Sequence, residues 1–433
     1  MINLGKLKQL PSQLLSNQYI QNIGWLGFGE LFGRLVRMGL VVVIARILTP
    51  HDYGLAAIIF TIKEFVIVFT LKGGITGKLV QTDEKDLEVL SNTAYWFSWL
   101  VCGALFLLQA IAAFPIAWFY KDNQLILPIC LVALSYLALP TYAVQLALVT
   151  RENRLKILAI ADTLIMVLSG LVTLGLALLG CGLWSLILPY VFINGGVYFT
   201  ILRGNHTWRP SEKFTLHRWR EIFDFAKNVI GSHLMDKVRS NIDYLLVGGV
   251  LGVEALGLYY FAYNAGIGIV LNVIYKMANA QLPYICAARS NFDEFKKRYF
   301  SSLKAAFLAI TVLVGLQAGL APFYVPIVFG EKWLPAIPIF ILVCLSAIPR
   351  TIGYSASGLL QAIDRPDLDF KWNIIFTGVF CVALLLVVNQ GLIPVATAVL
   401  LSHFIAIPIF CWWATRFVFN TSKQSHLAAV PEK

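Results

Sequence analysis

The chain has 433 residues, of which 58% are hydrophobic and 13% charged, with a mean hydropathy of +0.75 and a formal net charge of +11. Soluble domains carry about twice this share of charged residues, so the composition excludes a soluble globular protein. The apolar residues form blocks of roughly 20, the length at which a helix crosses a bilayer. We therefore predict an all-α integral membrane protein.

The apolar blocks predict about twelve transmembrane helices, six in each half of the chain. The predicted domains are an N-terminal six-helix lobe over 1–202, a cytoplasmic linker with an interfacial helix over 203–225, a C-terminal six-helix lobe over 226–415 and a cytoplasmic tail over 416–433. The predicted helices cover residues 22–48, 53–75, 93–119, 125–149, 157–179, 182–202, 226–251, 255–281, 302–327, 335–360, 371–389 and 392–415.

Lysine and arginine are concentrated in alternate loops, and cytoplasmic loops are the ones that carry this excess. One side holds basic clusters such as "RENRLK" from Arg151 and "KKR" from Lys296, whereas the other holds little beyond Lys121 and Lys332. This asymmetry predicts a multi-pass membrane protein with both termini in the cytoplasm. Contact with anionic lipid headgroups explains the net charge, so no nucleic-acid partner is expected.

The two halves resemble each other in sequence. Leu48 and Gly54 of the first half align with Leu251 and Gly257 of the second, in "ILTPHDYGLAAI" and "VLGVEALGLYYF". Because each half would contain an even number of helices, both would have the same orientation. The repeat thus predicts two lobes related by a pseudo-two-fold axis along the membrane normal, as in many secondary transporters.

The first helix of each half carries charges at membrane depth. Glu30, Arg34 and Arg37 share one face of the first helix, and Asp236, Arg239 and Asp243 share one face of the seventh. A charge that faces lipid at mid-bilayer costs at least about 2.5–3.5 kcal/mol, so these faces should line a hydrated cavity.

Three interpretations of these charges remain open from the residues: structural ion pairs, side chains that reach the interface, and a site for an anion. The excess of cations favours the third, because guanidinium groups bind phosphate through paired hydrogen bonds. The candidate residues for an anionic headgroup are Arg34, Arg37, Lys63, Lys237, Arg239, Lys276 and Arg350. The candidates for ion coupling are Glu30, Glu64, His233, Asp236 and Asp243, and the candidates for sugar contact are Tyr259, Tyr263 and Asn264.

No pattern in the sequence indicates a catalytic centre. The seven cysteines are scattered singly, no histidine cluster has metal-ligand spacing, and no phosphate-binding loop of the GxxxxGK[ST] type is present. We predict a transporter and not an enzyme, with no metal and no cofactor. Its energy source would be protons, sodium ions or the membrane potential.

The charged first helix that runs into "ARILTPHDYGLAAI", together with the "VTRENRLKILAIAD" and "AIDRPDLDF" segments, resembles the polysaccharide-transport family of oligosaccharide repeat-unit flippases. This family belongs to the MOP superfamily, which also contains the multidrug exporters of the MATE type and the lipid II flippase. The resemblance implies a V-shaped, MATE-like pair of lobes and cationic cavity residues, for which Arg34, Arg37, Lys237 and Arg239 are the matching positions.

The implied substrate is an undecaprenyl-pyrophosphate-linked oligosaccharide. It would move from the cytoplasmic to the periplasmic face for O-antigen, exopolysaccharide or capsule synthesis by alternating access. Membrane lipids, a polysaccharide polymerase and chain-length machinery are further candidate partners. The alternatives are a multidrug exporter of the MATE type, a lipid II flippase, and a glycan polymerase or ligase, which would be expected to have a large outer loop.

Overall fold

A computed structural model describes residues 39–421 of the chain, and all regular structure in that range is helical. The all-α prediction is confirmed. Residues 39–47 are helical. The first-half helices that follow are α1 (Pro50–Val66), α2 (Lys72–Gln81), α3 (Glu84–Tyr120), α4 (Ile126–Ala138), α5 (Pro140–Arg151), α6 (Leu155–Leu178) and α7 (Trp184–Asn205). The later helices are α8 (Trp219–Leu251), α9 (Val253–Ala262), α10 (Gly268–Cys286), α11 (Phe292–Phe329), α12 (Ile337–Leu345), α13 (Ala347–Ala362), α14 (Pro366–Val387) and α15 (Leu392–Thr421).

Eight helical segments among the described residues are long and apolar enough to cross a bilayer, and two bent helix pairs bring the number to ten. Several of these helices expose large apolar side chains, as lipid-facing surfaces do; Trp118 on α3 is 81% exposed. Two predicted spans are not among the ten. The span at 22–48 begins outside the described residues, and the span at 226–251 corresponds to α8, which is rich in charged residues. The count of twelve stays a prediction.

The chain forms two compact units. One contains the described residues up to Leu48 together with Ile59–Lys237, and the other contains Thr49–Ile58 and the described residues from Val238 onward. The predicted lobe limits stay a prediction.

In the first unit, α2, α3, α5 and the start of α8 share a core that contains Ile75, Leu90 and Val144. α2 approaches α8 closely because Gly74 has no side chain, and a Cβ there would lie 2.4 Å from the Cβ of Ala226. Packing of the apolar faces therefore holds these helices together.

Arg151, the last residue of α5, stabilises the C-terminus of α2. Its Nη1 donates to the carbonyl oxygens of Leu79 at 2.9 Å and Val80 at 3.0 Å, and also to that of Thr82. The last carbonyl groups of a helix have no partner within the helix, so the guanidinium supplies donors that the backbone cannot.

The linker between α7 and α8 is irregular over residues 206–218 and packs on the start of α3. The hydroxyl of Thr93 donates to the carbonyl of His217 at 2.6 Å. The predicted interfacial helix coincides with the first turns of α8, which runs without a break from Trp219 into the predicted span.

A four-residue ion network joins the end of this linker to α2 and α3. Arg218 contacts Glu221 at 2.5 Å and Asp86 at 2.8 Å, and Lys78 lies 3.3 Å from Glu221. The hydrogen bond from Arg218 stabilises the carboxylate and so lowers the pKa of Glu221 below its usual value. The network is partly exposed, so its contribution to stability is screened by solvent.

In the second unit, α10, α11, α13 and α15 share a core built around Tyr299, Leu359 and Phe410. Between α9 and α10 the helix widens to a π segment, Tyr263–Ile267. The amide of Gln317 on α11 donates to the carbonyls of Ala265 at 3.2 Å and Gly266 at 3.1 Å. This side chain supplies donors where the helical hydrogen-bond pattern is altered.

The second unit also contains a reciprocal contact between α1 and α9. A Cβ on Gly54 would lie 1.9 Å from the carbonyl oxygen of Val253, and a Cβ on Gly257 would lie 1.8 Å from that of Pro50. These are the two glycines that the sequence repeat aligns, and we name the four residues the glycine clasp. Only glycine permits so close an approach of the two backbones.

Candidate functional site

Three of the predicted site residues, Glu30, Arg34 and Arg37, lie outside the described residues. Asp236 lies within α8, but its side chain is also outside the description. The geometry below therefore concerns the remaining candidates.

In the first unit, two lysines converge on one glutamate at membrane depth. Lys63 Nζ lies 2.6 Å from Glu64 Oε1, and the ammonium of Lys237 on α8 donates to Glu64 Oε2. Lys63 also lies 4.9 Å from the ring centroid of Tyr190 on α7, which stabilises the cation through the face of the ring. The side chains of Glu64 and Lys237 are about one-third exposed, at 31% and 34%, so this ion pair is partly accessible from outside the protein.

Glu64 and Lys237 were predicted for ion coupling and for anion binding, respectively, and the structure joins them in an ion pair. Such a pair fits the structural interpretation left open by the sequence. The carboxylate also holds together two ammonium groups that would otherwise repel each other.

Of the two predicted acids whose side chains the structure describes, Asp243 is the more deeply buried, at 4% exposure. The hydroxyl of Tyr259 donates to its Oδ2 at 2.8 Å, and the backbone N–H of Tyr244 donates to Oδ1 at 3.0 Å. Tyr259 itself is fully buried. In this conformation its ring presents no surface to a sugar, and its hydroxyl serves the carboxylate instead.

Arg350 on α13 is close to the same cluster. Its Nη1 donates to the hydroxyl of Tyr263 at 3.3 Å, and it interacts electrostatically with Asp243. Its Nε is buried and has no hydrogen-bond partner among the described residues. A buried polar donor without a partner is costly, so this guanidinium has a donor that an anionic oxygen would satisfy.

Arg239 on α8 leads a chain of polar contacts. It donates to Oδ1 of Asn373, whose Nδ2 lies 3.2 Å from Oδ1 of Asp369, and Ser357 Oγ donates to the same oxygen at 2.7 Å. The chain connects α8, α14 and α13. Arg239 therefore contacts the amide of Asn373, which in turn contacts the carboxylate of Asp369.

The remaining candidates are exposed: His233 on α8, Asn264 in the π segment and Lys276 on α10. Asn264 Nδ2 donates to the carbonyl of Tyr260 at 2.9 Å, which leaves its side-chain oxygen for other contacts. The assignment of these residues to substrate or ions stays a prediction.

Sequence reasoning missed Tyr190, Asn373 and Asp369. A tyrosine or an asparagine in an apolar helix is too common to single out. Asp369 was passed over because it follows the charged turn at Arg365. Asn373 lies within the predicted span 371–389 and Asp369 lies two residues before it, so polarity at the start of that span was the available signal. Asp162, one turn into the span predicted at 157–179, has the same signal and accepts a hydrogen bond from Tyr198.

The fold of the chain resembles that of solved membrane transporters. It matches a multidrug transporter of the MATE family and MOP superfamily in its inward-facing conformation, with a TM-score of 0.72, 15% identity and coverage of 91% of this chain and 96% of that one. It also matches the lipid II flippase MurJ in an inward closed conformation, with a TM-score of 0.73, 14% identity and coverage of 90% and 87%. The predicted MATE-like fold of a multi-pass membrane protein is confirmed.

Sequence comparison then gives the family. The model of the polysaccharide biosynthesis protein family matches residues 43–338, more than half of the chain, and the chain belongs to this family. It is 25% identical over 308 residues to the teichuronic acid biosynthesis protein TuaB of Bacillus subtilis, a match that covers 69% of this chain and 62% of that protein. It is 25% identical over 367 residues to the lipopolysaccharide biosynthesis protein WzxC of Escherichia coli, a match that covers 81% and 72%. The predicted family is confirmed.

Proposed function

We propose that this chain moves an oligosaccharide, linked through pyrophosphate to a polyprenyl carrier, from the cytoplasmic to the outer face of a bacterial inner membrane. The family and the names of the relatives support a role in the supply of a surface polysaccharide. Both termini would lie in the cytoplasm, as the loop charges predict. A polysaccharide polymerase and chain-length machinery would act on the exported units.

The observation that carries the proposal is Arg350. This half-buried guanidinium, whose Nε has no partner within the described part of the chain, is suited to a phosphate oxygen, because a hydrogen bond between charged groups is stronger than one between neutral groups. Five of the predicted site residues in the described range are lysine or arginine, against three acids. A multidrug exporter for cations would need the opposite balance.

The membrane potential supplies the driving force in this proposal. Glu64 is engaged by two lysines, and Asp243 by a tyrosine hydroxyl and a backbone N–H. Each oxygen of both carboxylates thus already accepts from a protein donor in this conformation. Outward movement of each negative charge is downhill by roughly 2.3 kcal/mol per 100 mV when the cytoplasm is negative. Transport in vesicles should thus follow an imposed potential, whereas a requirement for a sodium or proton gradient would contradict this part.

The test of function is complementation of a deletion strain, with surface polysaccharide and lipid-linked intermediates as readouts. Arg350→Gln should reduce export at least about tenfold at normal protein level, because a charge-assisted hydrogen bond is worth about 1.5–3 kcal/mol. The matched control is Arg416→Gln, which removes an exposed guanidinium at the end of α15. Intact export in the deletion strain, together with altered drug resistance, would contradict the proposal.

A further inference from the structure

A cavity of about 300 Å³ lies within the second unit between α10, α11 and α13. Its walls are mainly apolar and small, and include Ile274, Met277, Ala278, Ala305 and Ala306. The alanines leave space that larger side chains would fill. The lining runs from Ile274 to Tyr284 along α10, a distance of about 15 Å for ten residues of helix.

Five of the six polar side chains in the lining have hydrogen-bond partners, and the sixth, Tyr284, contacts Arg298 through its ring. Gln281 Nε2 donates to Ser302 Oγ at 2.8 Å, and Ser355 Oγ donates to Gln281 Oε1 at 2.8 Å. The hydroxyl of Thr351 donates to the backbone at 3.1 Å, and that of Tyr354 donates to Tyr275 at 2.8 Å. A ligand would therefore meet satisfied polar groups and apolar walls, which favours a hydrocarbon over a polar molecule.

We propose that this cavity binds part of the polyprenyl tail of the transported lipid, an inference that rests on the proposed function. The surrounding helices belong to candidate membrane spans, so hydrocarbon is the surrounding medium. The volume is about twice that of an engineered apolar cavity that binds benzene, which has roughly 150 Å³. It thus accommodates a short stretch of a methyl-branched chain.

The position of cations around the cavity favours the substrate over an ordinary phospholipid. At one end, Arg298 lies 5.1 Å from the ring centroid of Tyr284, but its Nε already contacts Glu294 at 2.8 Å. Arg350 immediately precedes Thr351, the first lining residue on α13, and its buried Nε has no hydrogen-bond partner among the described residues. A polyprenyl tail is joined directly to its pyrophosphate, so a tail site next to a buried phosphate donor suits that lipid.

The test compares two leucine substitutions on α11. Ala306 is buried and lines the cavity, so Ala306→Leu fills it, whereas Ala309 is exposed and outside the lining, so Ala309→Leu serves as the matched control. Each variant is purified in detergent with equal amounts of undecaprenyl phosphate and phosphatidylglycerol, and native mass spectrometry measures the lipid retained. Ala305→Leu, at the exposed rim, provides a second cavity variant if Ala306→Leu fails to fold.

The cavity variant should retain at least about tenfold less undecaprenyl phosphate than the wild type, because the leucine side chain displaces methylene groups of the tail from the cavity. The control variant should retain it fully. Equal retention by both variants, or selective loss of phosphatidylglycerol, would overturn the proposal. Failure of the proposed function would look different. Polysaccharide export would then not depend on this chain, while the expected pattern of lipid retention would be unchanged.

Discussion

The glycine clasp gives a stability prediction whose size follows from the structure. In Gly54→Ala the new Cβ would lie 1.9 Å from the carbonyl oxygen of Val253, and in Gly257→Ala it would lie 1.8 Å from that of Pro50. The shortest common carbon–oxygen contacts are about 3.3 Å, so α1 and α9 would have to separate by more than 1 Å. Overpacking of this kind costs about 1–3 kcal/mol.

The apparent melting temperature in one detergent, at matched protein concentration, measures this cost. Each single variant should be clearly destabilised, and the double variant should lose less than the two losses combined, because one separation relieves both clashes. The control is Gly103→Ala on α3, where no described atom lies within 4 Å of the added Cβ. Alanine there should be neutral or stabilising by up to about 1 kcal/mol. The reasoning is refuted if all three single variants have the same apparent melting temperature.

Three further predictions concern polar contacts. Arg151→Ala should lower the apparent melting temperature by the equivalent of about 1–3 kcal/mol, because carbonyls at the end of α2 lose their donor. Arg151→Lys should recover only part of this stability. Full stability in the alanine variant would contradict the assigned role. Tyr259→Phe should destabilise the protein by a similar amount, because the buried Asp243 loses a hydroxyl donor. Thermal unfolding of this variant, compared with that of Tyr259→Ala, measures the loss, and a neutral effect of Tyr259→Phe would show that the hydroxyl is dispensable. The lowered pKa of Glu221 means that its contribution is present above its unfolded pKa of about 4.3 and is lost as pH falls through the folded value. Glu221→Gln should therefore reduce stability at pH 7 and flatten the acid limb of a pH–stability curve, whereas curves of identical shape would exclude this carboxylate as a source of the pH dependence.

The spans could be predicted from the sequence because a bilayer demands long apolar blocks, and eleven of the twelve predicted ranges coincide with described helices or helix pairs. The clasp was partly predictable, since the repeat aligns Gly54 with Gly257. The alignment could not show that Gly54 contacts the second repeat and Gly257 the first repeat at a single helix crossing, because that depends on how α1 and α9 pack.

The site was less predictable than the fold. Charges such as Lys63 and Glu64 stand out in an apolar helix, and periodicity shows which of them share a face. The partner of Glu64, however, lies 173 positions away at Lys237. The donor to Asp243 is a tyrosine on the next helix. Such pairings arise from tertiary packing, on which local periodicity carries no information.

The clasp pairs Gly54 with Val253 and Gly257 with Pro50. In the repeat, Gly54 aligns with Gly257 and Pro50 with Val253, each at an offset of 203 residues. The contact is therefore self-complementary, like the interface of a homodimer with two-fold symmetry. A duplicated ancestor that paired as two separate copies would have required a single glycine to serve both sides. After fusion the two positions became free to diverge, yet each still limits the other, so a bulky residue accepted at one would have to be matched by a shift in the backbone opposite.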